Sequence, residues 1–157
     1  MLCLKEGNRM NEEITLRPAT MNDAEMLLEW RNDPETRKAS HNTDEVQLDD
    51  HISWLSLTLS NPNRKLYVAE ENGSPVGTAR ADFSDNVWEL SWTVSPKARG
   101  CGVGKRMVAA LAKQISEPIR AEVKQGNISS ARIAEHAGME FERETEGVLH
   151  FKRAALE

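Results

Sequence analysis

A mixed α/β fold built on a single sheet is what the sequence predicts, and three observations carry that prediction. Apolar residues recur at helical spacing as far as Leu59 and then alternate with polar ones from Leu66 to Val94. Asn72-Gly73 separates two of the alternating runs, and that dipeptide between such runs is a strong hairpin signal. After Ser95-Pro96 the pattern turns to helix, strand, helix and a closing hairpin. The order strand, two helices, three strands, helix, strand, helix, hairpin gives a mixed sheet, with about four flanking helices, and not a regular parallel one.

Each element follows from local chemistry. Ile14-Thr15-Leu16-Arg17 alternates and is ended by Pro18, so it reads as a first strand. Asn22 or Asp23 can cap a helix running to about Arg31, with Ala24, Met26, Leu27, Leu28 and Trp30 on its inner side. Asn32-Asp33-Pro34 breaks it, and the polar stretch to about Asp44 reads as loop or a short helical turn. Val46, Leu48, Ile52, Leu55 and Leu59 mark a second helix, stopped by Asn61-Pro62-Asn63. Residues 66–69 and 76–79 are the strands of the Asn-Gly hairpin. In the strand 87–94, Trp88, Leu90, Trp92 and Val94 share one face, while Glu89, Ser91 and Thr93 share the other. A helix then runs to about Ile115, with Met107, Val108, Leu111, Ala112 and Ile115 as its buried stripe. Residues 119–123 read as a strand, 128–136 as a helix closed by Gly138, and 141–143 with 148–151 as a hairpin turning at Glu146-Gly147.

The 157 residues suffice for one compact domain, expected over 14–157, with the polar residues 1–13 read as a disordered tail. Twenty basic against twenty-five acidic side chains leave −5 at pH 7, which argues against general affinity for nucleic acid or an anionic membrane. No apolar run approaches the roughly 20 residues of a membrane span. The first 13 residues lack the apolar core of a signal peptide, so the expected location is cytoplasmic. No CxxC or HExxH spacing occurs, and no metal site is expected.

The informative stretch is Val94-Ser95-Pro96-Lys97-Ala98-Arg99-Gly100-Cys101-Gly102-Val103-Gly104-Lys105. A strand ends, glycines come at every second position, and a helix begins. Such a turn brings backbone N–H groups to one point beside the positive end of a helix dipole, the setting for a phosphate or pyrophosphate. Arg99 and Lys105 add charge at either end. A Walker A loop would need glycine where Arg99 stands and Ser or Thr where Arg106 stands. A dinucleotide fingerprint would need its third glycine at Lys105 or Met107. What remains is Arg-x-x-Gly-x-Gly at Arg99, Gly102 and Gly104; its bland alternative is a glycine-rich helix start that binds nothing. Cys101 could be a nucleophile, but no histidine neighbours it in sequence, and a small loop residue is the simpler reading.

This loop after a Val-x-Pro strand end resembles the central acyl-CoA motif of the GNAT acyltransferase superfamily. Asn127-Ile128-Ser129-Ser130, the helix to Ala137 and Gly138-Met139-Glu140-Phe141 resemble that family's second block, and the element order fits from Ile14 to about Phe151. The resemblance implies a GNAT-like fold, with the strand 87–94 splaying from the strand 119–123. It implies acetyl-CoA as co-substrate. Backbone groups of Trp92, Thr93 and Val94 would pair with the pantetheine arm. The amides of Arg99, Gly100, Cys101, Gly102, Val103, Gly104 and Lys105 would hold the pyrophosphate, and Asn127 and Ser130 would flank the distal pantetheine. A backbone N–H near Val94 would polarise the thioester carbonyl. Transfer to an amine would be direct, and a homodimer is compatible with the family.

An attacking amine must be neutral, so a base or a water chain is expected. Glu89 is the first candidate, against the alternative of a carboxylate on a solvated sheet face. His51 comes second and Asp82 third. Many superfamily members protonate the leaving thiolate with a tyrosine at the position held here by Ala134, while the one tyrosine, Tyr67, lies on another strand. Ser130 or water could substitute. Trp30-Arg31-Asn32-Asp33-Pro34 and His51-x-x-Trp54 resemble the subset that acetylates amino-sugar nucleotides and, more distantly, protein N-termini. On that resemblance Trp30, Arg31, His51 and Trp54 would bind the acceptor, although the tryptophans could equally be core aromatics of two packed helices. The expected activity is N-acetylation of a small-molecule amine; acetylation of a protein N-terminus or lysine, or an acyl-CoA sensor without turnover, are the alternatives.

Overall fold

The computed structural model describes residues 13–157, so the tail expected over 1–13 lies, apart from Glu13, outside the described residues. Its elements are β1 (Ile14–Pro18), α1 (Ala24–Asn32), α2 (Pro34–Ala39), α3 (Leu48–Ser60), β2 (Arg64–Glu71), β3 (Ser74–Ser84), β4 (Val87–Val94), α4 (Val103–Lys113), β5 (Ile119–Lys124), α5 (Ile128–His136), β6 (Glu140–Thr145) and β7 (Val148–Arg153). The strands form one seven-stranded sheet in the order β1-β2-β3-β4-β5-β7-β6. Every neighbouring pair is antiparallel except β4 and β5, so the sheet is mixed, as the sequence predicts.

Three two-residue turns set the hairpins: Asn72-Gly73, Asp85-Asn86 and Glu146-Gly147, all six residues at positive φ. That conformation matches the right-handed twist of the flanking strands. The structure departs from the sequence reading in three places. The cap ahead of α1 is Thr20, whose Oγ1 accepts from Asn22 N–H (3.2 Å), and not Asn22 or Asp23, because a short turn at Met21–Asp23 precedes the helix. β3 continues to Ser84, where Phe83 packs on Trp88 with ring centroids 4.8 Å apart. The polar stretch after α1 contains a fifth helix, α2, because Asp33 accepts from Glu35 N–H (3.1 Å) and Thr36 N–H (3.4 Å) while Pro34 stands in its first turn. The residues that stop α1 therefore start the next helix.

Helices cover both faces of the sheet. α1 and α3 pack on each other, α3 also on β2 and α1 on β4. They enclose a smaller core of Leu27, Trp30, Leu55, Leu66 and Val68. α4 packs on β1, β3 and β4, and α5 on α4, β5, β6 and β7. The larger core lies there; Met107, Val108, Leu111 and Ala112 form the stripe expected for α4, and Ile115, expected in the helix, is buried just beyond its end at Lys113. Full burial of such side chains stabilises the fold by roughly 1.5–3 kcal/mol each, which fixes α4 against the sheet.

Packing also fixes the one irregularity that matters for function. β4 and β5 pair only at Trp88–Ile119 and Glu89–Arg120, and beyond that register the two parallel strands separate. On the far side β4 stays paired with β3 as far as Val94, and β5 with β7 as far as Lys124. The expected splay is therefore present as a fork, with Glu89 at its closed end.

Candidate active site

The fork opens into a cleft of about 1640 Å³ that runs from α1 and α3, past β4, to the first turns of α4 and α5. The polarity of its β4 wall follows from the alternation of strand backbone. Trp88 N–H donates to Pro118 O on the β5 side (3.0 Å), and Ser95 N–H donates to Val76 O on the β3 side (2.8 Å). Trp92 and Val94 share the direction of Trp88 and lie beyond the last paired register of β4 with β5, so their N–H and C=O groups face the gap where no strand pairs with them. An extended, amide-bearing guest can complete that edge.

The gap ends at the glycine loop. Gly100 (φ +77°) and Gly102 (φ +73°) hold backbone conformations that side-chain-bearing residues rarely adopt. A Cβ added to either would meet no atom within 4 Å, so the space beside them is open to a guest. Gly104 has a different reason: a Cβ there would overlap Ile133 Cδ1 and lie 3.3 Å from Val94 Cγ2. The first backbone bond of α4 runs from Arg106 N–H to Gly102 O (3.2 Å). Val103, Gly104 and Lys105 are the N–H groups that precede it, and a helix provides them no internal acceptor. The loop is held from behind by Arg106, whose guanidinium lies 2.5 Å from Glu71 Oε2 and donates to Cys101 O (3.3 Å) and Gly102 O (3.4 Å). Sequence separation hides this pair, and the sequence reading missed it.

Of the residues singled out in the sequence, the cleft brings together Trp30, Arg31, His51, Trp54, Glu89, Trp92, Thr93, Val94, Arg99, Gly100, Gly102, Val103, Gly104, Lys105, Asn127 and Ser130. Cys101 and Asp82 are not on its wall. Tyr67 lines a separate, smaller hollow beside β1, and Ala134 is fully buried in the larger core. Several side chains have structural engagements of their own. Asn127 Oδ1 accepts from Ser130 N–H (3.1 Å) and so caps α5. Arg99 Nη2 pairs with Asp33 and donates to Thr36 Oγ1 (3.3 Å). Glu89 Oε1 accepts from Arg120 Nε at 3.1 Å, across the last paired register of the fork.

At the α1–α3 end, Trp30 is a core residue at 7% exposure, and Trp54 packs against the same cluster. Trp54 is stacked on His51 (centroids 5.7 Å) and has the Arg80 guanidinium 5.4 Å from its ring. His51 is 4% exposed, and its Nε2 is buried with no partner among the described residues. Burial pushes its pKa below the usual histidine value, the Arg31 charge adds to that, and a hydrogen bond with the Ala24 backbone opposes it. Arg31 Nη2 donates to Asn42 O (2.7 Å), while Nη1 is buried without a partner among the described residues. No described helix is long and apolar enough to cross a membrane.

Comparison with known proteins agrees with this geometry. Residues 13–140 match the family described as "Acetyltransferase (GNAT) domain". No curated protein matches the sequence significantly. Among solved structures, a domain from Methanocaldococcus jannaschii superposes with a TM-score of 0.80 at 21% identity, over 91% of this chain and 99% of that one. The aminoglycoside acetyltransferase AAC(6')-Ib in complex with coenzyme A superposes with a TM-score of 0.77 at 22% identity, over 90% of this chain and 95% of that one. A ribosomal-protein-alanine N-acetyltransferase from Brucella melitensis gives 0.74 at 24% identity, over 89% of this chain and 99% of that one. At such identities the likeness to these structures is one of fold, whereas the family match spans most of the sequence: the chain belongs to the GNAT acetyltransferase family.

Proposed function

We propose that this acetyltransferase moves the acetyl group of acetyl-CoA directly to a primary amine of an amino sugar or another small metabolite. The observation that carries the reading is the continuity of one wall: the unpaired edge of β4 leads from Glu89 to a helix start whose first N–H groups have no helical acceptor. Acetyl-CoA has an amide-bearing arm and a diphosphate, and the two parts of that wall suit them in order. Val103, Gly104 and Lys105 would donate to the diphosphate, and the edge at Trp92 and Val94 would pair with the arm. The N–H of Val94 or a near neighbour would stabilise charge growing on the thioester oxygen.

In the transfer, the amine lone pair forms the C–N bond, the C–S bond breaks, and the sulfur leaves with the electron pair. Glu89, at the closed end of the fork, takes the proton the amine gives up; its bond to Arg120 keeps the carboxylate at that point. His51 is the second group able to accept it, being neutral and unpartnered at Nε2. No tyrosine reaches the cleft, so sulfur leaves as thiolate or takes a proton from Ser130 or water. A thiol pKa of about 8.5 makes an unassisted departure feasible near neutrality.

The acceptor class is tested by releasing free thiol from acetyl-CoA against a panel of amines: amino sugars, their nucleotides, aminoglycosides, and peptides with free N-termini or lysine. Turnover on the sugars and not the peptides supports the proposal. Turnover on peptides alone replaces the acceptor, and coenzyme A binding in calorimetry without turnover on any amine makes the chain a sensor.

A further inference from the structure

Helix α2 has no buried residue and six residues in all, too short to persist by itself in water. Polar ties hold it in place, and they come from both arms of the fork. Arg99, from the loop after β4, reaches Asp33 and Thr36 at its start. Lys124, the last residue of β5, donates Nζ to Lys38 O at 3.1 Å, and His41 just beyond α2 approaches Glu122 at 4.0 Å. The loop that follows is tied to the preceding helices: Arg31 to Asn42 O, Arg37 Nε to Thr43 O (3.1 Å), and Asn32 to both backbone groups of Val46 (2.8 Å each). Helix α2 thus lies across the open end of the fork and lines the cleft through Glu35, Thr36, Lys38 and Ala39.

Arg99 uses only Nη2 for α2, and among the described residues its Nε and Nη1 donate to nothing. A guanidinium has five donors in a planar fork and can serve two anions at once. We propose that Asp33 is a positioning residue: through Arg99 it links helix α2 to the diphosphate seat, so that cofactor binding firms the cleft wall from Pro34 to Gln47. This rests on the reading of residues 103–105 as that seat.

Asp33→Asn isolates the link, because asparagine caps a helix as well as aspartate does and only the charge is lost. The test is hydrogen–deuterium exchange on the whole chain, with and without coenzyme A, alongside calorimetry. Coenzyme A should slow amide exchange across 34–47 about two- to fivefold in the unaltered protein, the span one partly exposed ion pair supports. In Asp33→Asn that slowing should vanish while the affinity for coenzyme A stays within about threefold. Arg99→Met cuts the same link from the other side and should also lose the slowing. Equal slowing in both variants, or none in unaltered protein that binds coenzyme A, overturns the inference and leaves the proposed function standing. Absence of coenzyme A binding to the unaltered protein removes the proposed function, and the link with it.

Discussion

Replacing Arg106 by methionine probes the rear support of the glycine loop. Glu71 closes β2 at 4% exposure, and its Oε2 lies 2.5 Å from Arg106 Nη1. Without the guanidinium that carboxylate is left in the interior facing the start of α4, and Cys101 O and Gly102 O each lose a donor. Breaking a buried ion pair from one side costs about 3–5 kcal/mol, and the lower end applies here because the Arg106 side chain keeps 28% exposure to screening water. For a domain of this size ~3 kcal/mol lowers the melting temperature by about 6–12 °C. Affinity for coenzyme A should fall as well, by about tenfold, since 1.4 kcal/mol of lost loop order corresponds to that factor. The double variant Glu71→Met/Arg106→Met should recover most of the melting temperature, because an apolar pair of similar volume leaves no charge in the interior. Thermal melts and calorimetry on the three variants decide it. A single variant melting within about 2 °C of the unaltered protein, or a double variant no more stable than the single, would refute the account of the loop's support.

Glu89→Gln should slow transfer roughly a hundredfold, the scale of a lost general base, while coenzyme A affinity changes less than about twofold; an unchanged steady-state rate would remove Glu89 from the proton path. Gly102→Glu should abolish coenzyme A binding in calorimetry, since it forces a side chain to φ +73° and sets a carboxylate at the diphosphate seat. Gly104→Ala should destabilise by about 1 kcal/mol, with overpacking against Ile133 of ~1–3 offset by ~1 from helix propensity. Most of that loss should disappear in an Ile133→Val background, which lacks the overlapping Cδ1. Burial holds the His51 pKa below that of the unfolded chain, so the unfolded form binds the proton more readily. The stability this represents is full above about pH 6.5 and is lost as pH falls from there toward the depressed folded value. His51→Gln should therefore show a smaller drop in melting temperature between about pH 7.5 and about pH 5.5, and an unaltered drop would count against a buried neutral imidazole.

What the sequence revealed follows the range of the forces involved. The three hairpins depend on neighbouring residues, yet only Asn72-Gly73 and Glu146-Gly147 were read in advance, because Asp85-Asn86 reaches the same geometry without a glycine. The stripe of α4 was legible because period and burial agree there. α2 was hidden because its start signal, Asp33-Pro34, is also a stop signal for α1, and no apolar period marks a helix that buries nothing. At the site, a glycine-rich turn that opens a helix was legible from spacing. The side-chain engagements of Arg99 with Asp33 and of Arg106 with Glu71 join residues 66 and 35 positions apart, and no local pattern records them.

The two helices whose first turns line the cleft also show how a chain of net charge −5 could offer a seat to the proposed polyanion. The start of α4 packs on the middle of α5 through the contact that Gly104 allows with Ile133, and the first turns of both helices line the same cleft. They are not equivalent. Asn127 caps α5 and takes up the N–H of Ser130, which satisfies part of that helix's first turn from within. Gly102 stands at the same position in α4 and has no side chain to do so. A side chain there would enter the open space beside the loop, where the proposed anion would sit. Glycine at a helix start costs only a few tenths of a kcal/mol against the better caps, a small loss of stability that leaves the first turn of α4 available to a ligand. On the proposed function, attraction for the diphosphate would be local, set by oriented amides within a few ångströms, and at physiological salt such a contact would outweigh the repulsion of acidic groups more than a Debye length of about 8 Å away.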